Sequence, residues 1–179
     1  LRTLVLDSDA YMNAHAIILS DYGKGVVSQE VAQKLISTKI PVFVDPKDGD
    51  WEKYRGAFCI KPNEYELERH LGYLPKDEQF SSVFAHLAEK YGFRCILLTR
   101  GAKGMVLWRY GWNGPAVIGA VKQEVFDVSG AGDTAIAVFA AAQELGLLGA
   151  AQLANRAAGI VVGKRGTSVI SLEELLKCE

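Results

Sequence analysis

The segment from Val125 to Thr134, with the sequence VFDVSGAGDT, has the strongest chemical signal in the chain. Its glycine-rich turn leads to Asp133, at the start of a long apolar stretch. Glycines allow a tight turn in which successive backbone N–H groups point outward, and the N-terminus of a following helix adds positive potential. The segment therefore predicts an anion site next to a carboxylate. Its donors would be the amides of Gly130, Ala131 and Gly132.

Asp133 has two interpretations. As a helix cap, its carboxylate would stabilise the first turn by about 1 kcal/mol, although Ser129 could cap the helix as well. As a general base, it would take the proton from an acceptor hydroxyl beside a transferring phosphoryl group, while positioning and charge stabilisation supply most of the rate. We favour the general base, because the carboxylate adjoins the predicted anion site.

Two other glycine-rich motifs do not fit. Gly130, Gly132 and Ala135 formally match GxGxx(G/A), but a dinucleotide-binding fold then needs a strand that ends in an acid about 20 residues later. A second helix is predicted there instead. A Walker A loop needs four residues between its glycines, and the stretch from Gly159 to Lys164 has three.

The sequence DVSGAGDT at 127–134 resembles the C-terminal signature of the ribokinase-like (phosphofructokinase B-type) carbohydrate kinases. The resemblance implies that Asp133 is the catalytic base and that the amides before it form the anion hole. It also implies ATP and Mg²⁺ as cofactors and a sugar as the acceptor. The implied fold is α/β, a three-layer α/β/α ribokinase-like fold with a mainly parallel central sheet.

The sequence KPNEYE at 61–66 resembles the PNxxE segment of the same family. The resemblance implies that Asn63 and Glu66 organise the metal and the phosphates. An alternative is a helix start at which Asn63 and Glu66 form a capping box, and both interpretations can hold together.

The sequence TRGAKG at 99–104 resembles the TxGxxG loop of the family, which contacts the nucleotide. The resemblance assigns nucleotide contacts to Thr99, Gly101 and Gly104, whereas a plain hairpin turn is the alternative. It also places Asn155 on the adenine side, with Ala158 and Gly166 lining the same pocket. For the apolar residues, ordinary helix packing is an equally good interpretation.

Three segments narrow the resemblance: SDYGKG at 20–25, VDPK at 44–47 and VVGKRGTSVIS at 161–171. They are similar to the kinase domains of the bifunctional heptose 7-phosphate kinase/heptose 1-phosphate adenylyltransferases of lipopolysaccharide synthesis. That similarity implies phosphorylation of D-glycero-D-manno-heptose 7-phosphate at its anomeric oxygen, which gives the 1,7-bisphosphate. Another sugar of the same superfamily is the alternative acceptor.

Four residues in these segments are candidate substrate groups. Lys24 and Lys47 have charge suited to a phosphorylated sugar or a nucleotide phosphate, although a solvated lysine is the default. Asp21 and Asp45 come at the predicted carboxyl ends of two strands, where open α/β sheets place ligand groups.

The elements that position these residues are predicted from apolar runs and helical spacing. Buried parallel strands are predicted at 16–19, 42–44, 57–60 and 95–99 because the runs lack alternation. Helices are predicted after Ser28, over 64–71, and along the stripe of Phe84, Leu87 and Tyr91. Edge strands or a hairpin follow at 105–109 and 116–118, and then helices at 132–145 and 149–162.

The chain reads as a single, partial ribokinase-like kinase domain over residues 1–179. Residues 1–14 look like the end of a helix and not like a first strand. The resemblance then leaves the N-terminal part and the lid of the family missing, so we expect weak or absent turnover by this chain alone. A catalytically silent or partner-dependent nucleotide-binding fragment is the alternative. Self-association and a completing N-terminal region are both compatible with the sequence.

Composition excludes several classes of partner. The net charge is −1 and charged residues make up 23%, so no basic footprint for nucleic acid or an anionic membrane is predicted. The three cysteines have no metal-ligand spacing. An odd number of cysteines without a disulfide framework is typical of a reducing compartment. We therefore expect a cytoplasmic location.

Overall fold

The computed structural model of the protein describes residues 11, 13–47, 49–121, 124, 126–164, 166 and 168–177. The helix predicted over residues 1–14 lies almost wholly outside the described residues.

The first part of the chain alternates strands and helices, as predicted. Its elements are β1 (Ile17–Ser20), α1 (Gln29–Ile36), β2 (Val42–Asp45), β3 (Cys59–Ile60), α2 (Glu64–Leu71), α3 (Phe80–Tyr91) and β4 (Cys95–Thr99). Short 3₁₀ helices cover Glu52–Tyr54 and Asp77–Gln79. The strand predicted over 57–60 is shorter than expected, because only its last two residues pair with neighbouring strands.

Local signals explain where these helices begin and end. The Ser28 hydroxyl accepts a hydrogen bond from the Val31 amide (3.3 Å) at the start of α1, as the sequence predicts. Both α2 and α3 end at glycines in the left-handed region, Gly72 (φ 81°) and Gly92 (φ 77°).

The second part contains the predicted hairpin and the two apolar helices. A 3₁₀ turn at Gly101–Lys103 leads into β5 (Met105–Arg109) and β6 (Ala116–Ile118). The helices are α4 (Ala131–Ala141), α5 (Leu147–Val162) and a short α6 (Leu172–Leu176), which the sequence analysis did not predict. The helix predicted over 132–145 ends at Ala141, and Gln143–Leu145 continue as a 3₁₀ turn.

All described strands belong to one sheet in the order β1-β2-β3-β4-β5-β6. The pairs from β1 to β4 are parallel, and the two pairs that involve β5 are antiparallel. The prediction of a mainly parallel sheet is confirmed. Consecutive parallel strands bring their carboxyl ends, and the loops that follow them, to the same edge of the sheet.

Helices cover both faces of the sheet, so the fold has three layers. On one face, α1, α2 and α3 pack against strand residues such as Val44 and Ile96. On the other face, α4 and α5 pack against Phe43, Cys95 and Leu97. In the inner strands, residues that alternate between the two faces, such as Phe43 and Val44, are nevertheless both buried, which explains why these strand sequences show no polar alternation.

The turn before β5 makes a structural demand on Gly104. Its φ is +82°, and a Cβ atom there would lie 2.0 Å from the Ile118 carbonyl oxygen. We expect Gly104→Ala to lower the free energy of unfolding by at least about 2 kcal/mol, from backbone strain and overpacking. Gly101→Ala is the matched control, because Gly101 also has a positive φ (+52°) but faces open space. Urea denaturation of both variants checks this, and equal losses would contradict it.

None of the helices in the described part of the chain combines the length and the apolar character that a bilayer-crossing segment needs.

Candidate active site

A cleft of about 440 Å³ lies at the carboxyl ends of the parallel strands, beside the first turn of α4. It brings together most of the residues singled out in the sequence. Those that line it are Asp21, Asp45, Lys47, Asn63, Glu66, Thr99, Gly101, Gly104, Ala131, Gly132, Asp133, Asn155 and Ala158. Lys24, Gly130 and Gly166 are not among the lining residues.

The first turn of α4 forms one wall of the cleft. Its cap residue is Gly130, which has a left-handed φ of 77° and no side chain that could accept hydrogen bonds from the first-turn amides. The Ala131 amide donates to the Val128 carbonyl (3.3 Å), so this amide already has a partner in the turn. The amide of Gly132 lies one residue further into the helix, beside the cleft.

Asp133 stands at the third position of α4 and is not its cap, which removes the capping interpretation. Its side chain is exposed at the edge of the cleft. The Tyr22 hydroxyl donates to the carboxylate of Asp133, at 3.2 Å from Oδ1 and 3.4 Å from Oδ2. The loop after β1 thus holds the carboxylate from a point 111 residues away in the sequence.

An ion pair between a buried lysine and a partly buried aspartate lies next to Gly132. The ammonium of Lys61 is 2.9 Å from Oδ1 of Asp45, and the Lys61 side chain is only 3% exposed. A Cβ atom on Gly132 would lie 3.5 Å from Lys61 Nζ and 4.0 Å from Asp45 Oδ2. Glycine at position 132 therefore keeps the space between the helix terminus and this pair open.

Asn63 and Glu66 form the capping box that the sequence offered as an alternative. The Glu66 amide donates to Asn63 Oδ1 (2.8 Å), and the Asn63 amide donates to Glu66 Oε2 (2.9 Å). The other oxygen of Glu66 is 3.9 Å from the ammonium of Lys47 and lines the cleft. The capping box therefore fixes the Glu66 carboxylate at the cleft wall.

Burial dominates the electrostatics of two carboxyl groups in the cleft. It raises the pKa of Asp45, and the nearby Lys61 ammonium partly offsets this increase. Burial also raises the pKa of Glu66, against the lowering effect of the Asn63 amide. A ligand that brings positive charge, such as a metal ion, would favour the ionised form of both groups.

The donor set fits a magnesium ion that keeps most of its water. The described residues contain no cluster of three or more acidic, histidine or cysteine side chains that could hold a metal alone. Mg²⁺ is usually bound by one or two carboxylates together with waters and substrate phosphates. The Glu66 carboxylate at the cleft wall fits that pattern. The side-chain oxygen of Asn63 already accepts a hydrogen bond from the Glu66 amide.

Ion pairs hold the Arg100 side chain, in the loop after β4, outside the cleft lining. The Arg100 side chain pairs with Glu64 (2.9 Å) and Asp77 (2.7 Å). Thr99 and Gly101, on either side of Arg100, line the cleft. Gly104 also lines it, and its glycine requirement is explained by the close approach of the Ile118 carbonyl.

Asn155 is buried on α5 and donates to the Gly119 carbonyl (2.8 Å) after β6. This bond connects α5 to the segment after β6, where Ala120 and Val121 line the cleft. Ala158 lies nearby on the same helix, whereas Gly166 is exposed beyond its end.

The candidate substrate residues divide into two groups. Asp45 and Lys47 line the cleft. Lys24 is exposed on the loop after β1 and does not line it.

Asp21 lines the cleft, but its oxygens already accept hydrogen bonds from Lys53, the Tyr54 hydroxyl (2.6 Å) and the Gly23 amide (2.8 Å). Burial alone raises the pKa of Asp21, but these hydrogen bonds outweigh it and leave the pKa below its usual value. This arrangement favours a role in fixing the loop that holds Tyr22.

Tyr22 and Lys61 are not among the site residues predicted from the sequence. They stand in the SDYGKG and KPNEYE segments, but no local pattern shows what their side chains contact. A lysine directly after the buried strand β3 was the available signal, because a charged residue at a strand's carboxyl end often faces a ligand.

Comparison with known proteins supports the kinase interpretation. The sequence model described as pfkB family carbohydrate kinase matches residues 5–175. Bifunctional protein HldE of Hahella chejuensis (strain KCTC 2396) is 46% identical over 166 residues, which cover 90% of this chain and 35% of that protein. The HldE of Vibrio atlanticus (strain LGP32) is 43% identical over 170 residues, which cover 93% of this chain and 36% of that protein. The chain thus spans about a third of the length of these relatives.

Solved structures agree on the fold. The ribokinase of Arabidopsis thaliana complexed with ribose and ATP has a TM-score of 0.80 at 26% identity, over 92% of this chain and 55% of that one. Phosphofructokinase-2 from Escherichia coli, in complex with substrates and products, has a TM-score of 0.78 over 97% of this chain and 58% of that one. Its 13% identity shows the fold alone. The prediction of a three-layer ribokinase-like fold is confirmed.

Proposed function

The chain belongs to the pfkB family of carbohydrate kinases, and from this premise we propose that it transfers the γ-phosphoryl group of ATP to a hydroxyl group of a sugar. One observation carries the proposal: Asp133 stands at the edge of the cleft in the first turn of α4, next to a helix terminus without a side-chain cap and a buried cation.

Asp133 acts as the general base in this proposal. It accepts the proton of the sugar hydroxyl while the hydroxyl oxygen attacks the γ-phosphorus and the bond to the β-phosphate oxygen breaks, which releases ADP. The amides of the turn at Gly130, Ala131 and Gly132, together with the helix terminus, stabilise the negative charge. The Ala131 amide must turn from the Val128 carbonyl to contribute.

The nucleotide occupies the part of the cleft between the β4 loop and α5. Its proposed contacts are Thr99, Gly101, Gly104, Asn155, Ala158 and Gly166. Glu66, with Asn63 fixing its position, would hold Mg²⁺, which when bound neutralises phosphate charge. Gly166 is exposed beyond the end of α5 and does not line the cleft in this structure.

The proposed acceptor is D-glycero-D-manno-heptose 7-phosphate, phosphorylated at the anomeric oxygen to the 1,7-bisphosphate. The SDYGKG and VDPK segments support this choice, and so does the identity of 43–46% to HldE proteins. Lys47 at the cleft wall, together with Lys24, is proposed to hold the 7-phosphate. Asp21 and Asp45 complete the predicted substrate set. A cytoplasmic location would match a soluble sugar phosphate substrate.

A second candidate is a fragment that depends on a completing region or a second copy. Among the described strands, β1 is an edge of the sheet, and its Ile18 is 40% exposed. An unpaired strand edge favours addition of another strand. We propose that residues 1–179 form one partial domain, and that a further polypeptide segment or a second copy of the chain pairs at this edge.

Two measurements test the proposal. Calorimetric titration with magnesium-ADP should show saturable binding, and no binding up to about millimolar ligand would contradict it. A screen of ADP release should then favour phosphorylated heptose over the unphosphorylated sugar. Preference for an unphosphorylated sugar would overturn the heptose assignment. Turnover that appears only when the N-terminal region of a relative is added would favour the partner-dependent fragment.

Tyr22 should assist Asp133 without being essential. Tyr22→Phe removes the hydroxyl that donates to the carboxylate, and a hydrogen bond of this kind contributes about 0.5–1.5 kcal/mol. We expect kcat/KM for the sugar to fall by up to about tenfold. Tyr110→Phe is the control, because Tyr110 has similar exposure (66% against 61%) and does not line the cleft. Steady-state kinetics with unchanged kcat/KM would contradict the assignment.

A further inference from the structure

The Lys61–Asp45 pair has no role among the assignments above beyond the substrate contact predicted for Asp45. Lys61 follows β3, and its amide donates to the Val44 carbonyl (2.8 Å), which anchors its backbone next to β2. Its side chain is buried, yet it lines the cleft. Replacing a buried ion pair by apolar residues often leaves stability unchanged or raises it, so stability alone does not explain this pair.

The position of the Lys61 ammonium relative to α4 is the second observation. The ammonium faces Gly132, close enough that a side chain there would contact it. Gly132 precedes Asp133, so the cation lies on the cleft side of the same helical turn that carries the proposed base. An anion at the helix terminus would meet the backbone amides and this cation together.

We propose that Lys61 is a catalytic residue whose ammonium contacts the transferring phosphoryl group, and that Asp45 is the positioning residue that holds it. The inference rests on the proposed kinase function. It also gives Asp45 a role different from the substrate contact predicted for it. A buried cation held in place before the reaction can stabilise charge that develops during transfer without reorganising.

The arrangement of charge around the pair supports this division of roles. The charges of Asp133 and Lys47 affect the ionisation of Asp45, and the charge of Asp45 in turn affects that of Glu66. Without Lys61, an incoming phosphate would face the carboxylates of Asp45, Glu66 and Asp133. Among the groups that act on Asp45, Lys47 would then be the remaining ammonium. Lys61 therefore offsets repulsion where the phosphoryl group is proposed to pass.

The test compares two ligands on one variant. Magnesium-ADP reports nucleotide binding. When aluminium fluoride is added to magnesium-ADP, the fluoride complex mimics the phosphoryl group during its transfer. The variant is the double substitution Lys61→Met and Asp45→Asn, which removes the cation without leaving a buried carboxylate unpaired. The control is Lys164→Met with Glu174→Gln, which removes an ion pair (2.7 Å) that does not line the cleft.

We expect the parental chain and the control to bind magnesium-ADP more tightly when aluminium fluoride is present. The Lys61/Asp45 variant should bind magnesium-ADP within about threefold of the parental affinity. The factor by which aluminium fluoride tightens binding should be at least about tenfold smaller than in the parental chain, since a hydrogen bond to a charged group is lost. Thermal melting should show that the variant is folded. Asp45→Asn alone should lose part of the gain, because Lys61 remains but is no longer held.

The other outcomes separate the two proposals. If the variant gains from fluoride as the parental chain does, or weakens both ligands by the same factor, Lys61 is structural and the inference is wrong while the kinase proposal stands. If the variant does not fold, an intact fluoride gain in folded Asp45→Asn would overturn the positioning role. A parental chain that gains nothing from fluoride also overturns the inference. Failure of the parental chain to bind nucleotide contradicts the kinase function itself.

Discussion

Asp133→Asn should lower kcat by at least about a hundredfold while the Kd for magnesium-ADP stays within about threefold. General-base catalysis typically contributes 10²–10⁴-fold, and an amide has no basic oxygen that could take the proton of the sugar hydroxyl. The substitution keeps the size of the side chain and an oxygen that can still accept from Tyr22, so the site should retain its shape. Initial rates of ADP release at saturating sugar measure kcat, and calorimetry measures the Kd. The rates are taken with the N-terminal region of an HldE relative added, because weak turnover is expected of this chain alone.

The control for this prediction is Asp127→Asn in the same segment. The Asp127 carboxylate accepts a hydrogen bond from the Ser129 amide (2.8 Å), and an asparagine oxygen can accept the same bond. Asp127 does not line the cleft, so its variant should turn over like the parental chain. Retention of more than about a tenth of the parental kcat by Asp133→Asn would show that another group takes the proton.

Gly132→Asp should weaken magnesium-ADP binding by about a hundredfold or more. The new side chain would point at Lys61 and Asp45, because its Cβ would lie 3.5 Å from the ammonium and 4.0 Å from the carboxylate. The added carboxylate would neutralise Lys61 and stand where phosphate is proposed to bind. A like charge about 4 Å from a phosphate costs about 4 kcal/mol at an effective dielectric constant near 20. Calorimetric titration of the folded variant gives the affinity.

The matched control is Gly149→Asp, because Gly149 also lies in the first turn of a helix, α5. A Cβ atom there would meet only the Leu145 Cβ at 3.9 Å, in ordinary contact. An acidic residue in the first turn of a helix is tolerated or mildly stabilising. The control should therefore bind magnesium-ADP like the parental chain. Equal binding by Gly132→Asp would place the phosphates elsewhere in the cleft.

These two variants address different parts of the proposed reaction. Asp133→Asn removes the base but leaves the helix terminus and Lys61 in place. Gly132→Asp fills the anion site but leaves the base. Loss of turnover without loss of binding in the first, and loss of binding in the second, would together place proton removal and phosphate binding on adjacent residues of one helical turn.

The sequence by itself determined the features that depend on neighbouring residues. Ser28 begins α1, and Asn63 and Glu66 form their capping box, because each bond joins groups three residues apart. Apolar runs without alternation predicted strands buried on both faces, and Phe43 and Val44 are indeed both buried while packing on opposite faces. The glycine-rich turn before Asp133 predicted the helix terminus at the cleft.

Only the tertiary structure decided which distant side chains meet. Tyr22 reaches Asp133 across 111 positions because α4 lies against the first strands of the sheet. Lys61 pairs with Asp45 because β2 and β3 are parallel neighbours whose carboxyl ends reach the same edge. Caps and periodicity act over a few residues, whereas such pairs depend on strand order and on which helix covers which face. That is why the sequence predicted the base and its turn but not the cation and the hydroxyl beside them.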